Sequence, residues 1–295
     1  MLRIATRGSA LARWQADHVA ALLAAAHGVE VELVLIETMG DRDTSTSLTE
    51  LGGQGIFVKE VQAAVLDGRA DLAVHSGKDL PSAAELQAPG LVLAAVPERG
   101  DARDALVGSR LDDIPPGGTV ATGSARRRAL LADLRPDLTF ADLRGNIHTR
   151  LAKAEGFAAV MVAAVALERL GLSERIAEAF DVARFVPQVA QGALAIECEE
   201  GSEAAALVAA IDHAPSRRNV DAERAWLAAI GGGCELPAGA HAVADGDGLR
   251  LTAVLASFDG RVVLRESRVG TDPVAVGSAL AESMLEHGGR WLLAG

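Results

Sequence analysis

The sequence predicts an α/β protein: two α/β lobes joined by a double-crossover hinge, followed by a small α+β third domain. Three observations carry this prediction. Apolar, β-rich runs alternate with helical patterns twice over, once before and once after the charged segment ERGDARDA at 98–105. The segment QVAQGALAIECEE (188–200) then offers a strand apolar enough to be buried, which is taken to return the chain to the first sheet. From about residue 216 the pattern changes to one amphipathic helix, three strands with tight turns and a last helix. Alternating strands and helices imply mainly parallel sheets covered on both faces. Crossings near 97–104 and 187–192 would form a hinge with a cleft between the lobes. The domains expected are 1–98 with 190–212, then 99–189, then 213–295.

In order, LRIAT (2–6) reads as a strand, followed by a helix with the apolar stripe Leu11, Trp14, Val19 and Leu22. VELVLIET (31–38) is a second strand, and IFVKEVQAAVLDG (56–68) a helix after a polar, Gly-containing stretch. DLAVHS (71–76) and LVLAAVPE (91–98) complete the first set. The second set has strands at ALVG (105–108), TVATG (119–123), LTFADLRG (138–145), AAVMVAAVA (158–166) and RFVP (184–187). In the last part SRRNVDAERAWLAAI (216–230) is a helix and GGGCELPAG (231–239) the loop after it. Three antiparallel strands over 241–267 turn at Asp245 to Gly248 and at Asp259-Gly260, and a final helix covers about 273–288.

Composition removes several classes of function. The 295 residues carry a net charge of −12, which argues against nucleic acid as a partner, since phosphate binding needs a positive field. No apolar run reaches membrane-spanning length. The N-terminus reads directly as strand then helix, without a signal layout, so a cytoplasmic protein is expected. Cys198 and Cys234 form no CxxC pair and no disulfide framework. The DGDG turn lacks the spacing of a calcium loop, and no metal is expected. Nothing reads as a coiled coil or an open strand array, so a monomer is expected.

Three strand-to-helix junctions share a peculiarity: ATRGSALA (5–12), ATGSARRRALL (121–131) and DLRGNIHTRLAKA (142–154). Each offers an N-cap, Ser9, Ser124 or Asn146, and each sets arginines near the helix start: Arg7, then Arg126, Arg127 and Arg128, then Arg144 and Arg150. The helix dipole disfavours cations there, by about 0.3–1 kcal/mol for each exposed one. A bound anion at each junction, held by backbone N–H groups and guanidinium forks, accounts for the placement. Salt bridges to surface carboxylates are the alternative. LGGQGIFVKE (51–60) lacks the spacing of a phosphate loop, and GDRDTSTSLTELGGQG (40–55) reads as a flap, about 41–56, over the cleft.

AVHSGKDLPS (73–82) sets His75, Ser76, Lys78 and Asp79 just after a strand. A lysine there can orient an acidic substrate while the aspartate handles protons or a developing cation. Ordinary turn chemistry accounts for the same residues. For Cys234 the open roles are nucleophile, redox site and covalent anchor, and the glycines before it leave the backbone free and the thiol accessible. Cys198, in an apolar strand, reads as a packed bystander.

Taken together, IATRGSALARWQA, GGQGIFVKE, AVHSGKDLPS, TGSARRR, DLRGNIHTRL, VPQVAQGALAIEC, AERAWL and GGGCELPAG, in this order along the whole chain, resemble the porphobilinogen deaminase (hydroxymethylbilane synthase) family. The resemblance implies two lobes of the solute-binding-protein (type II periplasmic-binding) kind. It implies a transferase that joins four porphobilinogens head to tail, releasing ammonia, on a dipyrromethane cofactor bound by a thioether. By this resemblance Cys234 is the anchor and Asp79 the catalytic carboxylate. Lys78, Ser76, Arg126, Arg127, Arg150 and Ser124 would hold the cofactor. Arg7, Ser9, Gln15, Arg144, Arg169 and Phe57 would meet the substrate. Gly77 departs from the family's usual bulky residue and Gln54 from a frequent lysine. The alternative is a cytoplasmic two-lobed binding protein for a small dicarboxylate, which gives Cys234 no role.

Overall fold

The computed structural model describes residues 1–38, 58–83, 86–233 and 235–293. It divides into two compact units, Met1–Gly100 with Gly192–Arg218, and Asp101–Gln191 with Asn219–Gly295. In chain order the first unit opens with β1 (Leu2–Arg7), α1 (Ala10–His27), β2 (Val31–Ile36), α2 (Lys59–Leu66), β3 (Leu72–Ser76) and β4 (Leu91–Ala95). The second follows with β5 (Asp104–Val107), β6 (Thr119–Ala121), α3 (Ala125–Leu134), β7 (Thr139–Ala141), α4 (Ile147–Ala152), β8 (Ala159–Ala163), α5 (Ala164–Arg169) and β9 (Ile176–Ala179). The chain then returns to the first unit for β10 (Leu194–Glu199) and α6 (Glu203–Val208), and α7 (Ala214–Ala229) leads out of it again. The last elements are β11 (Ala238–Asp245), β12 (Gly248–Ala256), β13 (Val263–Gly270), α8 (Pro273–Met284) and α9 (Arg290–Leu293).

The first unit's sheet runs β2-β1-β3-β10-β4. The returning strand is there as expected, inserted between β3 and β4 and antiparallel to both. The second unit's larger sheet runs β7-β6-β8-β5-β9, with β5 antiparallel to both its neighbours. Both sheets are therefore mixed, not mainly parallel. The crossover strand enters each sheet from the opposite direction, which an alternation count cannot show. These two α/β lobes and the small third sheet are the fold class that the sequence predicts.

The two five-stranded sheets are each covered on both faces by apolar side chains. In the first unit Ile4, Val19, Leu23, Leu72 and Ile196 form one layer, and Ala5, Val61, Val65 and Ala73 another. Alternation along β1 and β3 sends successive residues to opposite layers. In the second unit Val254 of β12 joins Leu106, Leu130, Met161 and Phe185 in one core, so the three-stranded sheet packs against the lobe beside it in sequence.

Two local expectations need correction. RFVP (184–187) forms no strand: Phe185 and Val186 are apolar because they are buried in this core, Phe185 stacking on Phe180. The edge place goes to β9, whose residues are only partly buried and give a weak apolar signal. The run AAVMVAAVA changes from strand to helix after Ala163, a break that a uniformly apolar stretch conceals.

The turn between β12 and β13 packs closely against α3. Gly260 has φ +72°, and a Cβ there would lie 2.4 Å from the Ala129 carbonyl oxygen. Gly260→Ala should therefore cost about 1–3 kcal/mol, from the left-handed backbone and the displaced helix together, read as a lowered urea midpoint.

Candidate functional site

In the first unit β1 and β3 are parallel neighbours, so their C-terminal ends lie side by side. Arg7 ends β1, and Ser9 caps α1 by accepting from the Ala12 amide at 3.3 Å. Gln15, buried on α1, donates to Ser76 Oγ at 2.8 Å. That bond joins α1 to the end of β3. Beyond Ser76, Gly77–Asp79 form a single 3-10 turn, closed by Leu80 N donating to Gly77 O at 3.3 Å. The Gly77 amide donates to Ala193 O at 2.9 Å, tying the turn to the segment entering β10. Gly77 is buried, while Lys78 and Asp79 stay half-buried. Among the described residues, no hydrogen bond or ion pair engages the Asp79 carboxylate.

In the second unit β6 and β7 are parallel neighbours and their ends present the other two junctions. Ser124 caps α3 through the Arg127 amide at 3.4 Å, and Asn146 caps α4 through the Thr149 amide at 3.0 Å. The first anion at the α3 junction belongs to the chain itself. Asp104 is fully buried; its Oδ2 is 2.8 Å from Arg126 Nη1, and its Oδ1 is 2.7 Å from Arg127 Nη2. Burial alone would raise the Asp104 pKa, but the two guanidiniums outweigh it and hold the carboxyl well below its usual range. Arg126 also donates to Val186 O at 2.8 Å, and its guanidinium lies 5.7 Å from the centre of the Phe185 ring. Gln191 completes the cluster, donating to Ala102 O at 2.8 Å and to Asp104 at 3.1 Å.

Two guanidiniums against one carboxylate leave this buried cluster with an excess positive charge. Arg128 pairs instead with Asp142 and with Thr122 O. Arg150 donates from Nε to Gly145 O at 2.8 Å, which turns its side chain back over the junction. Arg144 is half-buried, and its Nη1 is enclosed with no hydrogen-bond partner among the described residues. Arg169 closes the last turn of α5, where burial pushes its pKa down to about 10.

Cys234 and Phe57 lie outside the described residues, as do Gln54 and the expected flap at about 41–56. The residues flanking Cys234 are placed, and the glycines there do more than leave space. Gly231, at φ +67°, ends α7, its amide donating to Ala228 O and that of Gly232 to Leu227 O. Gly232 and Gly233 are buried, and a Cβ on Gly232 would press to 2.7 Å from Leu236. On β11, a Cβ on Gly239 would lie 2.5 Å from Pro187 O and 2.8 Å from Arg126 Cδ. The strand that follows the thiol loop thus lies directly on Arg126.

Two family models match the chain: "Porphobilinogen deaminase, dipyromethane cofactor binding domain" over residues 2–206, and "Porphobilinogen deaminase, C-terminal domain" over 218–286. The chain belongs to the porphobilinogen deaminase family. The porphobilinogen deaminase of Acidothermus cellulolyticus is 46% identical over 305 residues, covering 99% of this chain and 91% of that protein. That of Roseiflexus castenholzii is 46% identical over 303 residues, covering 100% and 99%. Among solved structures, the methionine binding protein MetQ is a distant likeness at 13% identity and TM-score 0.46, over 70% of this chain and 88% of its own. Membership in the family makes this chain a transferase of tetrapyrrole biosynthesis that uses a dipyrromethane cofactor.

The residues fit that cofactor, whose pyrrole rings carry acetate and propionate groups. The Asp104 cluster sets two guanidiniums against one carboxylate, and an enclosed Arg144 nitrogen finds no acceptor among the described residues. Sequence reasoning singled out the arginines but missed Asp104 and Gln191, which hold Arg126 and Arg127 in place. The only signal was an acidic residue at the head of a fully apolar strand, DALV.

Proposed function

We propose that this chain joins four porphobilinogen molecules head to tail, releasing ammonia at each step, and delivers linear hydroxymethylbilane. The observation that carries the residue assignment is the Asp79 carboxylate, half-buried on a short turn and engaged by no described partner. When bound, the dipyrromethane supplies the pyrrole to which new rings are joined and keeps the product attached through Cys234. Asp79 opposes the positive charge that develops on the substrate as ammonia leaves, and takes and returns the pyrrole proton. Ser76, held by Gln15, and Lys78 flank it and orient substrate carboxylates.

Arg7, Ser9, Gln15, Arg144 and Arg169, with Phe57, receive the substrate's acetate and propionate groups. Ser124, Arg126, Arg127 and Arg150 hold those of the cofactor. Guanidinium forks suit this task because each added ring brings two carboxylates. The protein works as a cytoplasmic monomer without nucleic acid, in three domains: 1–98 with 190–212, then 99–189, then 213–295.

Intact-mass measurement tests the reading. The purified chain should carry an added mass equal to two linked pyrrole units, and Cys234→Ala should carry none. An unmodified wild-type mass after expression with substrate present would overturn the anchor assignment. Arg144→Leu should retain the fold but slow consumption of porphobilinogen by roughly tenfold or more, as lost charge-assisted bonds of this kind predict.

A further inference from the structure

Immediately before Ser76, β3 carries a histidine on a fully covered part of the sheet. His75, Glu197 of β10 and Gln62 of α2 are each only 5% exposed. His75 Nε2 lies 3.1 Å from Glu197 Oε2, and Gln62 Nε2 donates to the same oxygen at 2.9 Å. His75 Nε2 makes no hydrogen bond with a described residue, so the two side chains meet in a polar contact.

Such a cluster is an unusual choice for stability. A buried carboxylate with polar neighbours seldom outperforms apolar residues of the same volume, and interior strands ordinarily take aliphatic residues, as β3 does at Leu72 and Val74. What it supplies is a fixed geometry, and its location shows what is fixed. His75 stands opposite Ala195 in the β3–β10 ladder, and the Gly77 amide bonds Ala193 two residues further along. Gln15 holds Ser76 from α1. The stretch 75–77 is thereby tied to β10 and to α1, with Gln62 of α2 bracing Glu197, and Lys78 and Asp79 follow at once.

We infer that His75 and Glu197, braced by Gln62, are positioning residues for the reaction: a buried polar clamp that sets the end of β3 and the turn carrying Asp79. The inference rests on Asp79 being the catalytic carboxylate. Its role is to keep that carboxylate at a constant position through successive additions, and displacement by about 1 Å can lower a rate by on the order of a hundredfold.

The test compares wild type, the apolar pair His75→Leu with Glu197→Leu, the single variant Glu197→Gln, and Asp79→Ala, all as cofactor-loaded protein verified by mass. The apolar pair should melt close to wild type, lose on the order of tenfold to a hundredfold in kcat with KM little changed, and exchange the Gly77 amide faster. Glu197→Gln keeps an acceptor for Gln62 and should recover part of kcat and of the Gly77 protection. Wild-type kcat in the apolar pair, or a kcat loss that only tracks lower melting or lower cofactor mass, would overturn the clamp. If the apolar pair fails to fold, Glu197→Gln decides, because wild-type kcat and Gly77 exchange in that variant overturn the clamp too. An active Asp79→Ala would instead remove the reading on which the clamp rests, and the two failures are told apart by that variant.

Discussion

Replacing Asp79 by alanine should lower porphobilinogen turnover by about 10²–10⁴-fold, counted per chain that carries cofactor, with little change in melting temperature. The two halves of this expectation come from one observation. Asp79 engages no described partner, so the fold loses little when its carboxylate is removed. The same freedom leaves that carboxylate available to a cation forming on the substrate. Asp79→Asn keeps shape but not charge, and should fall nearly as far, since opposing a developing positive charge requires the anion. Steady-state consumption of porphobilinogen, with intact mass on the same sample, makes the measurement. Near-normal turnover in either variant would remove Asp79 from its role.

The largest loss of stability is expected at Asp104. Asp104→Asn strands Arg126 and Arg127 in the interior with no countercharge, and breaking a buried pair in this way costs about 3–5 kcal/mol. The urea midpoint should fall accordingly at neutral pH. Acid offers a second reading. The folded-state pKa of Asp104 is depressed, so its contribution is complete above the ordinary carboxylate pKa of about 3.9 and is lost as pH falls from there toward the folded value. Wild type should therefore lose stability on acidification through this group, and Asp104→Asn should lack that part of the slope. Equal midpoints for wild type and variant at neutral pH would show that the two arginines do not depend on this carboxylate.

The fold class was legible because its signals are local and repetitive. Three helix starts were marked by Ser9, Ser124 and Asn146, and each caps its helix as the residue type predicts. The hairpin of β11 and β12 was announced by its DGDG turn. Strand direction was not legible, because β5 and β10 look the same to a periodicity argument whichever way they run. RFVP misled because Phe185 and Val186 are apolar for packing against α3 rather than for pairing in a ladder. At the site, sequence could see arginines where a helix dipole disfavours them, but not that Asp104, separated from Arg126 in sequence by some twenty residues, answers two of them. Pairings between distant segments leave no local trace. The same holds for His75 and Glu197, whose meeting depends on β10 entering the sheet beside β3.

That late entry also governs the order in which the molecule can be assembled. The first sheet has β1, β2, β3 and β4 in hand by about residue 95, yet β3 and β4 become joined only through β10, made after the whole of Asp101–Gln191. At ordinary synthesis speeds of about 5–20 residues per second, the nascent chain waits on the order of 5–20 s with a gap one strand wide. During that interval β3 and β4 each present a free edge, open to pairing with another chain emerging nearby. The delay ends when residues 194–199 arrive, and the same strand that closes the gap brings Glu197 to His75.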